Sequence, residues 1–123
     1  MNRLFRLALG AIFFLTSSVA IACDYPVRPH IPEGSTASKD DMLAAKSDVQ
    51  AFLAAVDDYL RCVEAEEKAA IEAAADMDAE ALRERDVTLN RKFDAANEEK
   101  ALVGEQFNQQ VRAYNEKRKQ PQE

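Results

Sequence analysis

The sequence predicts an all-α protein, in which an extended, proline-rich N-terminal arm is pinned by a disulfide to an antiparallel, coiled-coil-like helical hairpin. Two observations predict the helices. Apolar residues recur every three or four positions along two long stretches, and residues 35–120 contain one glycine and no proline. A third observation predicts the disulfide: the chain beyond an export signal contains two cysteines.

Residues 1–22 have the composition of a secretory signal peptide. Arg3 and Arg6 give a positive start, and small residues end the segment at Ala22. The apolar run between them is roughly 13 residues long, which is shorter than the roughly 20 residues that a membrane-spanning helix needs. We therefore expect cleavage between Ala22 and Cys23 and export of the remaining chain to the periplasm.

Cys23 has two competing fates. The sequence Ala-Ile-Ala-Cys also resembles a bacterial lipobox, in which the cysteine is acylated and tethers the protein to a membrane. Lipoboxes usually have leucine three residues before the cysteine, where Ala20 stands here. An oxidising compartment instead favours pairing of Cys23 with Cys62. We expect the disulfide, with a membrane-tethered lipoprotein as the alternative, and we expect membrane contact only in that second case.

Residues 23–38 are predicted to form the extended arm. Its three prolines stand at every third position, which disfavours helix and favours polyproline II. At about 3.1 Å per residue the arm spans about 47 Å, whereas Cys62 lies about 35 Å into the first predicted helix. Cys23 can therefore reach Cys62. Closing this loop of roughly 40 residues contributes about 4 kcal/mol in the chain-entropy model.

Residues 39–119 are predicted to form the two-helix hairpin, with a turn near 75–79 and a tail over 120–123. Ser38 is the expected N-cap of the first helix, because acidic residues follow it in the first turn. The second apolar repeat begins near Leu82 and ends at a basic cluster. Since the turn region contains neither glycine nor proline, one continuous helix about 120 Å long is the alternative.

A predicted apolar seam joins the two helices. Residues 39–75 carry 4 basic and 9 acidic side chains, and residues 79–119 carry 9 basic and 8 acidic ones, so opposite charge favours antiparallel pairing. With a turn near residue 77, positions that sum to about 154 come level. The seam residues are Met42, Val49, Phe52, Val56, Tyr59, Val63, Leu89, Phe93, Ala96, Val103, Phe107, Val111 and Tyr114.

No catalytic, cofactor or metal site is predicted, and we expect no enzymatic activity. His30 is the only histidine and has no partner at a metal-ligand spacing. Cys62 has no neighbouring base that would activate it as a nucleophile. Asp76 and Asp78 lack the turn glycine and the bidentate glutamate of a calcium loop, so we interpret them as helix caps.

Net charge restricts the partners. Cleavage after Ala22 removes Arg3 and Arg6 and no acidic residue, which changes the formal charge from -6 to -8. A protein with this charge repels nucleic acid and anionic lipid. We therefore expect no nucleic-acid partner.

Four short runs resemble small secreted helical proteins of Gram-negative bacteria. They are Cys-Asp-Tyr-Pro at 23–26, Ile-Pro-Glu-Gly at 31–34, Tyr-Leu-Arg-Cys at 59–62 and Arg-Lys-Phe-Asp-Ala-Ala at 91–96. The resemblance implies secretion and a helical fold, and it implies no activity or ligand. In general form the chain is also similar to periplasmic coiled-coil chaperones and adaptors, without the basic charge of the Skp type or the LTxxQ motif of the Spy type.

Together these observations predict a non-enzymatic periplasmic protein that serves as a protein-interaction, chaperone-like or structural module of the cell envelope. Its partners are envelope proteins that the sequence does not identify, and it acts alone or as a homodimer. Besides the lipoprotein, the alternative is a dimeric helical bundle that binds a small ligand. Its pocket would be lined by Phe52, Tyr59, Phe93 and Phe107.

Overall fold

The computed structural model describes residues 22–120. It contains two helices, α1 (Lys39–Ala73) and α2 (Ala79–Lys119), which pack against each other. A disulfide joins Cys23 to Cys62. The predicted all-helical class and the predicted disulfide are therefore confirmed. The signal peptide predicted over residues 1–22 and the tail over 120–123 lie almost wholly outside the described residues, and cleavage after Ala22 stays a prediction.

A capping box begins α1 at Ser38. The Ser38 hydroxyl accepts a hydrogen bond from the Asp41 backbone N–H at 3.1 Å, and the Asp41 carboxylate accepts one from the Ser38 backbone N–H at 2.9 Å. The Ser38 hydroxyl also donates to the same carboxylate at 2.6 Å. These bonds, first from the hydroxyl and then from the backbone, lower the pKa of Asp41. Local sequence thus sets the start of the helix.

The chain is not one continuous helix, because it turns within residues 74–78. The Met77 backbone N–H donates to the Ala74 carbonyl at 3.2 Å, which tightens the turn. Asp78 then caps α2 by accepting a hydrogen bond from the Ala81 backbone N–H at 2.8 Å. No non-glycine residue within the described chain has a positive φ. The turn therefore needs no left-handed residue, which explains why no glycine marks it in the sequence.

The core lies along the contact between the helices, and α1 contributes most of it. Its buried residues follow steps of three and four, as the seam predicts. Near the end of this row a strict seven-residue repeat predicts that Tyr59 is buried. Instead Leu60 is buried and Tyr59 is half-buried. A straight helix drifts by about 20° per heptad, so the buried row moves to the next position. The buried residues are Met42, Ala45, Val49, Phe52, Val56, Leu60 and Val63 on α1, and Ala96 and Val103 on α2.

The rest of the predicted seam lies at the edge of this core. On α2 only two residues are buried, and Leu89, Phe93 and Phe107 pack against the core with one side open to solvent. The half-buried seam residues are Tyr59, Leu89, Phe93, Phe107, Val111 and Tyr114.

Two ion pairs show the relative direction of the helices. Glu67 on α1 pairs with Arg85 on α2 at 2.7 Å, and Asp57 pairs with Lys100. Since the position on α1 falls as the position on α2 rises, the two helices run in opposite directions at these contacts. In both pairs the acid is on α1 and the base is on α2.

Candidate functional site

The N-terminal segment, residues 22–37, contains no helix or strand and lies along the helix pair. At its start, the Cys23–Cys62 disulfide holds the two Cα atoms 5.8 Å apart. Tyr25 then packs edge-on against Tyr59, with ring centroids 5.0 Å apart and ring planes at 76°. The beginning of the segment is therefore fixed to the side of α1.

Polar contacts attach the remainder of the segment to α2. Arg28 donates to the Gln106 side-chain oxygen at 2.7 Å and forms an ion pair with Glu99 at 3.2 Å. The Gly34 backbone N–H donates to the Gln110 side-chain oxygen at 2.9 Å. The contacted positions on α2 rise as the segment proceeds. The segment therefore runs in the direction of α2 and covers the junction of the two helices.

Gly34 marks the closest approach of the segment to α2. The residue is buried, and a Cβ atom at this position would overlap the Gln110 carbonyl oxygen. The same atom would lie 2.9 Å from the Tyr114 backbone nitrogen. Because glycine alone has no Cβ, it permits the two backbones to come this close.

The surroundings of the Tyr25 phenol raise its pKa above the ordinary value for tyrosine. Partial burial raises its pKa, and the negative charge of Glu99 and the proximity of Tyr59 raise it further. The ring itself packs against Tyr59, so the geometry assigns Tyr25 a packing contact between the segment and α1.

Beyond the disulfide the junction of the helices is uncovered, and this uncovered part is the distal groove. It lies between residues 62–70 of α1 and residues 85–92 of α2, and it has a volume of about 640 Å³. Val63, Ala70 and Leu89 give it an apolar lining. Residues 64–95 all belong to the described chain, and none of them is buried. The turn end of the helix pair therefore presents an apolar surface that no other part of residues 22–120 covers.

Charged side chains border the distal groove. The ion pair of Glu67 and Arg85 crosses from one helix to the other and is partly buried. Glu66 on α1 and Lys92 on α2 also line the groove. Neither of these two forms an ion pair with another of the described residues. The border thus offers one unpaired negative charge on α1 and one unpaired positive charge on α2.

Further apolar side chains are exposed on the same end of the molecule. Ile71, in the last turn of α1, is 40% exposed, and Leu82, in the first turn of α2, is 39% exposed. The second apolar repeat was predicted to begin near Leu82, but the Leu82 side chain is exposed and does not pack in the core. The helices therefore bury little between them near the turn.

One cluster of metal-ligating atoms occurs among residues 22–120. The sulfur atoms of Cys23 and Cys62 and a carboxylate oxygen of Glu66 lie within 4.8 Å of one another. The two sulfurs are bonded to each other, so neither is a thiolate that could ligate a metal. In the disulfide-bonded protein this cluster is part of the covalent cross-link.

The four aromatic residues considered for a ligand pocket pack in and around the core. Phe52 is buried in the core, and Tyr59, Phe93 and Phe107 pack against this core and are half-buried. None of the four lines the distal groove. Of the other residues considered for chemistry, His30 is exposed on the N-terminal segment.

Sequence reasoning missed the distal groove, although a signal for it is present. Glu66 stands seven residues after Tyr59, where the apolar repeat of α1 would place an apolar residue, and small alanine residues follow it at 69 and 70. Side chains of this size cannot fill the space between two helices, so the pair stays open there. No family model, no curated protein and no solved structure matches the chain.

Proposed function

We propose that this chain is a non-enzymatic, exported protein of the bacterial cell envelope that binds another envelope protein through the distal groove. The observation that carries this proposal is the apolar surface between the helices that the N-terminal segment leaves uncovered. Uncovered apolar grooves, bordered by charged residues, are a common feature of protein-binding surfaces. Binding another chain would remove this surface from water.

The disulfide supports the proposed compartment. Disulfides persist in oxidising compartments such as the bacterial periplasm and the extracellular space. Within residues 22–120, neither helix has a stretch long and apolar enough to cross a bilayer. A Cys23 sulfur that is bonded to Cys62 has no valence left for a lipid. The disulfide therefore favours the unlipidated periplasmic form over the membrane-tethered lipoprotein.

In this proposal the helices form a coiled-coil-like hairpin, and the N-terminal segment is its pinned arm. The arm closes the part of the hairpin near the free helix ends, where its tyrosine, arginine and glycine contacts lie. From the disulfide onward the arm covers the end of the hairpin opposite the turn and leaves the turn end for a partner. One half of the hairpin is thus covered by the arm, and the other half is the proposed binding surface.

Site-specific photocrosslinking in living cells tests the proposed function. A benzophenone amino acid at Ala69, in the lining of the groove, should give discrete adducts with an envelope protein. The same amino acid at Ala54, exposed on α1 and outside the groove, is the matched control and should give none. Identical adducts at both positions, or no adduct at Ala69, would contradict the proposal.

The intact mass of the protein from the periplasmic fraction tests export and the state of Cys23. A chain that begins at Cys23 and resists alkylation until it is reduced supports the disulfide-linked periplasmic form. A diacylglyceryl group on Cys23 would instead establish the lipoprotein. In that case Cys62 would react with the alkylating reagent without prior reduction.

A further inference from the structure

We infer that the distal groove binds an extended polypeptide segment that carries apolar side chains and a carboxylate. The bound segment would lie end to end with the protein's own N-terminal segment. This inference rests on the proposed function and names the chemistry of the partner. Three features of the structure support it: the path of the N-terminal segment, the length of the groove, and the charges on its border.

The N-terminal segment shows what kind of chain the junction of these helices accepts. It is an irregular, non-helical chain that places one aromatic ring against Tyr59 and packs Ile31 against the core. The rows of helix positions that it contacts continue into the lining of the distal groove. On α1, the segment contacts Tyr59 and Cys62, and Glu66 and Ala70 follow at four-residue steps on the same face of the helix.

On α2 the same continuity holds. The contacts of the segment run back from Gln110 through Gln106 to Glu99, at steps of four and seven residues. One further step of seven reaches Lys92, which lines the distal groove. The groove is therefore the continuation of a path that an extended chain already occupies.

The length of the groove limits the size of the partner segment. On α1 the groove extends from Cys62 to Ala70, a rise of about 12 Å at 1.5 Å per residue. An extended chain covers this distance with about four residues. The N-terminal segment does not supply them, because it is bonded to α1 at Cys23 and its predicted first residue after cleavage is Cys23 itself. The occupant is therefore a short stretch of another protein.

Charge determines which side chain the partner brings to α2. Where the N-terminal segment covers α2, Glu99 of α2 forms an ion pair with Arg28 of the segment. One step of seven residues away α2 presents Lys92, whose charge is unpaired among residues 22–120. The complementary group is a carboxylate on the α2 side of the partner, away from Glu66 on α1.

Fluorescence polarisation with two labelled peptides tests the inference on the oxidised, exported protein. One peptide copies residues 25–31, and the other is the same peptide with the change Arg28→Glu. We expect the acidic peptide to bind about fivefold more tightly, which corresponds to about 1 kcal/mol for an exposed ion pair. Lys92→Glu in the protein should reverse this preference, and Lys46→Glu, at an exposed position on α1 outside the groove, should leave it unchanged.

A second pair of variants tests the location. Ala70→Trp fills the groove and should weaken binding of the acidic peptide at least tenfold, whereas Ala54→Trp should not change it. Circular dichroism checks that each variant is folded. If Ala70→Trp does not fold, the reversed preference of Lys92→Glu tests the location of the peptide. Equal binding of both peptides, no saturable binding, or self-association through the groove without peptide binding would each overturn the inference.

The two proposals fail in different ways. Crosslinks at Ala69 in cells without any binding of the acidic peptide would preserve the proposed function and overturn the extended-segment chemistry. Binding of the acidic peptide that Lys92→Glu abolishes, without crosslinks in cells, would support the chemistry of the groove and overturn its use by an envelope protein.

Discussion

Breaking the Cys23–Cys62 disulfide should lower the free energy of unfolding by about 4 kcal/mol at 25 °C. The bond joins residues separated by 39 positions, and in the chain-entropy model a loop of that length restricts the unfolded chain by this amount. Domains of about 100 residues unfold with roughly 5–15 kcal/mol in total. The cross-link therefore accounts for about a quarter or more of the stability.

Urea unfolding, followed by far-ultraviolet circular dichroism, measures this loss. For a domain of this size the free energy of unfolding falls by about 1–2 kcal/mol for each molar increment of urea. Reduction should therefore lower the urea midpoint by about 2–4 M. The double variant Cys23→Ala/Cys62→Ala should unfold at the midpoint of the reduced protein, and a reductant should not change that midpoint.

A decrease of less than about 1 kcal/mol would refute this reasoning. It would mean that the unfolded chain keeps the two cysteines close together without the bond, or that the bond strains the folded protein. The double variant separates the effect of the bond from any direct effect of the reductant. Agreement between the variant and the reduced protein is therefore a required part of the result.

Three further predictions concern positions away from the distal groove. Gly34→Ala should destabilise the protein by about 1–3 kcal/mol in urea unfolding, because the added methyl group overlaps the α2 backbone. Gly104→Ala is the matched control, because a methyl group at this position within α2 meets open space, and it should stabilise the protein by about 0.5–1 kcal/mol. Val56→Ala should cost about 2 kcal/mol by the same measurement, because Val56 is 0% exposed, and a cost below about 0.5 kcal/mol would place it outside the core. Ser38→Ala should raise the pKa of Asp41 in an NMR titration, since it removes the hydroxyl that favours the carboxylate. Because the folded-state pKa of Asp41 is lowered, the contribution of this cap to stability is fully present above the pKa of an unfolded aspartate. It is lost as pH falls through the folded-state pKa. If Ser38→Ala left the pKa of Asp41 unchanged, the Ser38 hydroxyl would not be the cause of the shift.

Much of the local structure could be predicted because its causes lie close together in the chain. The capping box depends on Ser38 and a residue three positions away, and Asp78 caps α2 by accepting a hydrogen bond from the backbone of Ala81, which is also three positions away. The spacing of apolar residues shows which side of α1 is buried. If Cys23 forms a disulfide, its partner can only be Cys62, since the chain contains two cysteines, and lipidation of Cys23 was the alternative.

Prediction was weaker where small offsets accumulate along the helices. The strict heptad repeat named Tyr59, but Leu60 is buried, because the helical repeat of 3.6 residues does not match a sequence repeat of 3.5. On α2 this repeat continued back to Leu82, which is exposed. A periodic pattern shows which face of a helix is apolar, and the distance to the neighbouring helix determines how much of that face is buried.

By itself, the sequence determined the two helix caps at Ser38 and Asp78, because each cap depends on neighbouring residues. The break between the helices and the disulfide were each predicted beside an alternative, which the structure removes. Only the tertiary structure decided that the N-terminal segment runs along α2 from its bond at Cys62, and that no other part of residues 22–120 covers the distal groove. These features depend on contacts such as Arg28 with Glu99, between residues far apart in the chain. No local propensity specifies such contacts, because they exist only once the helices have packed.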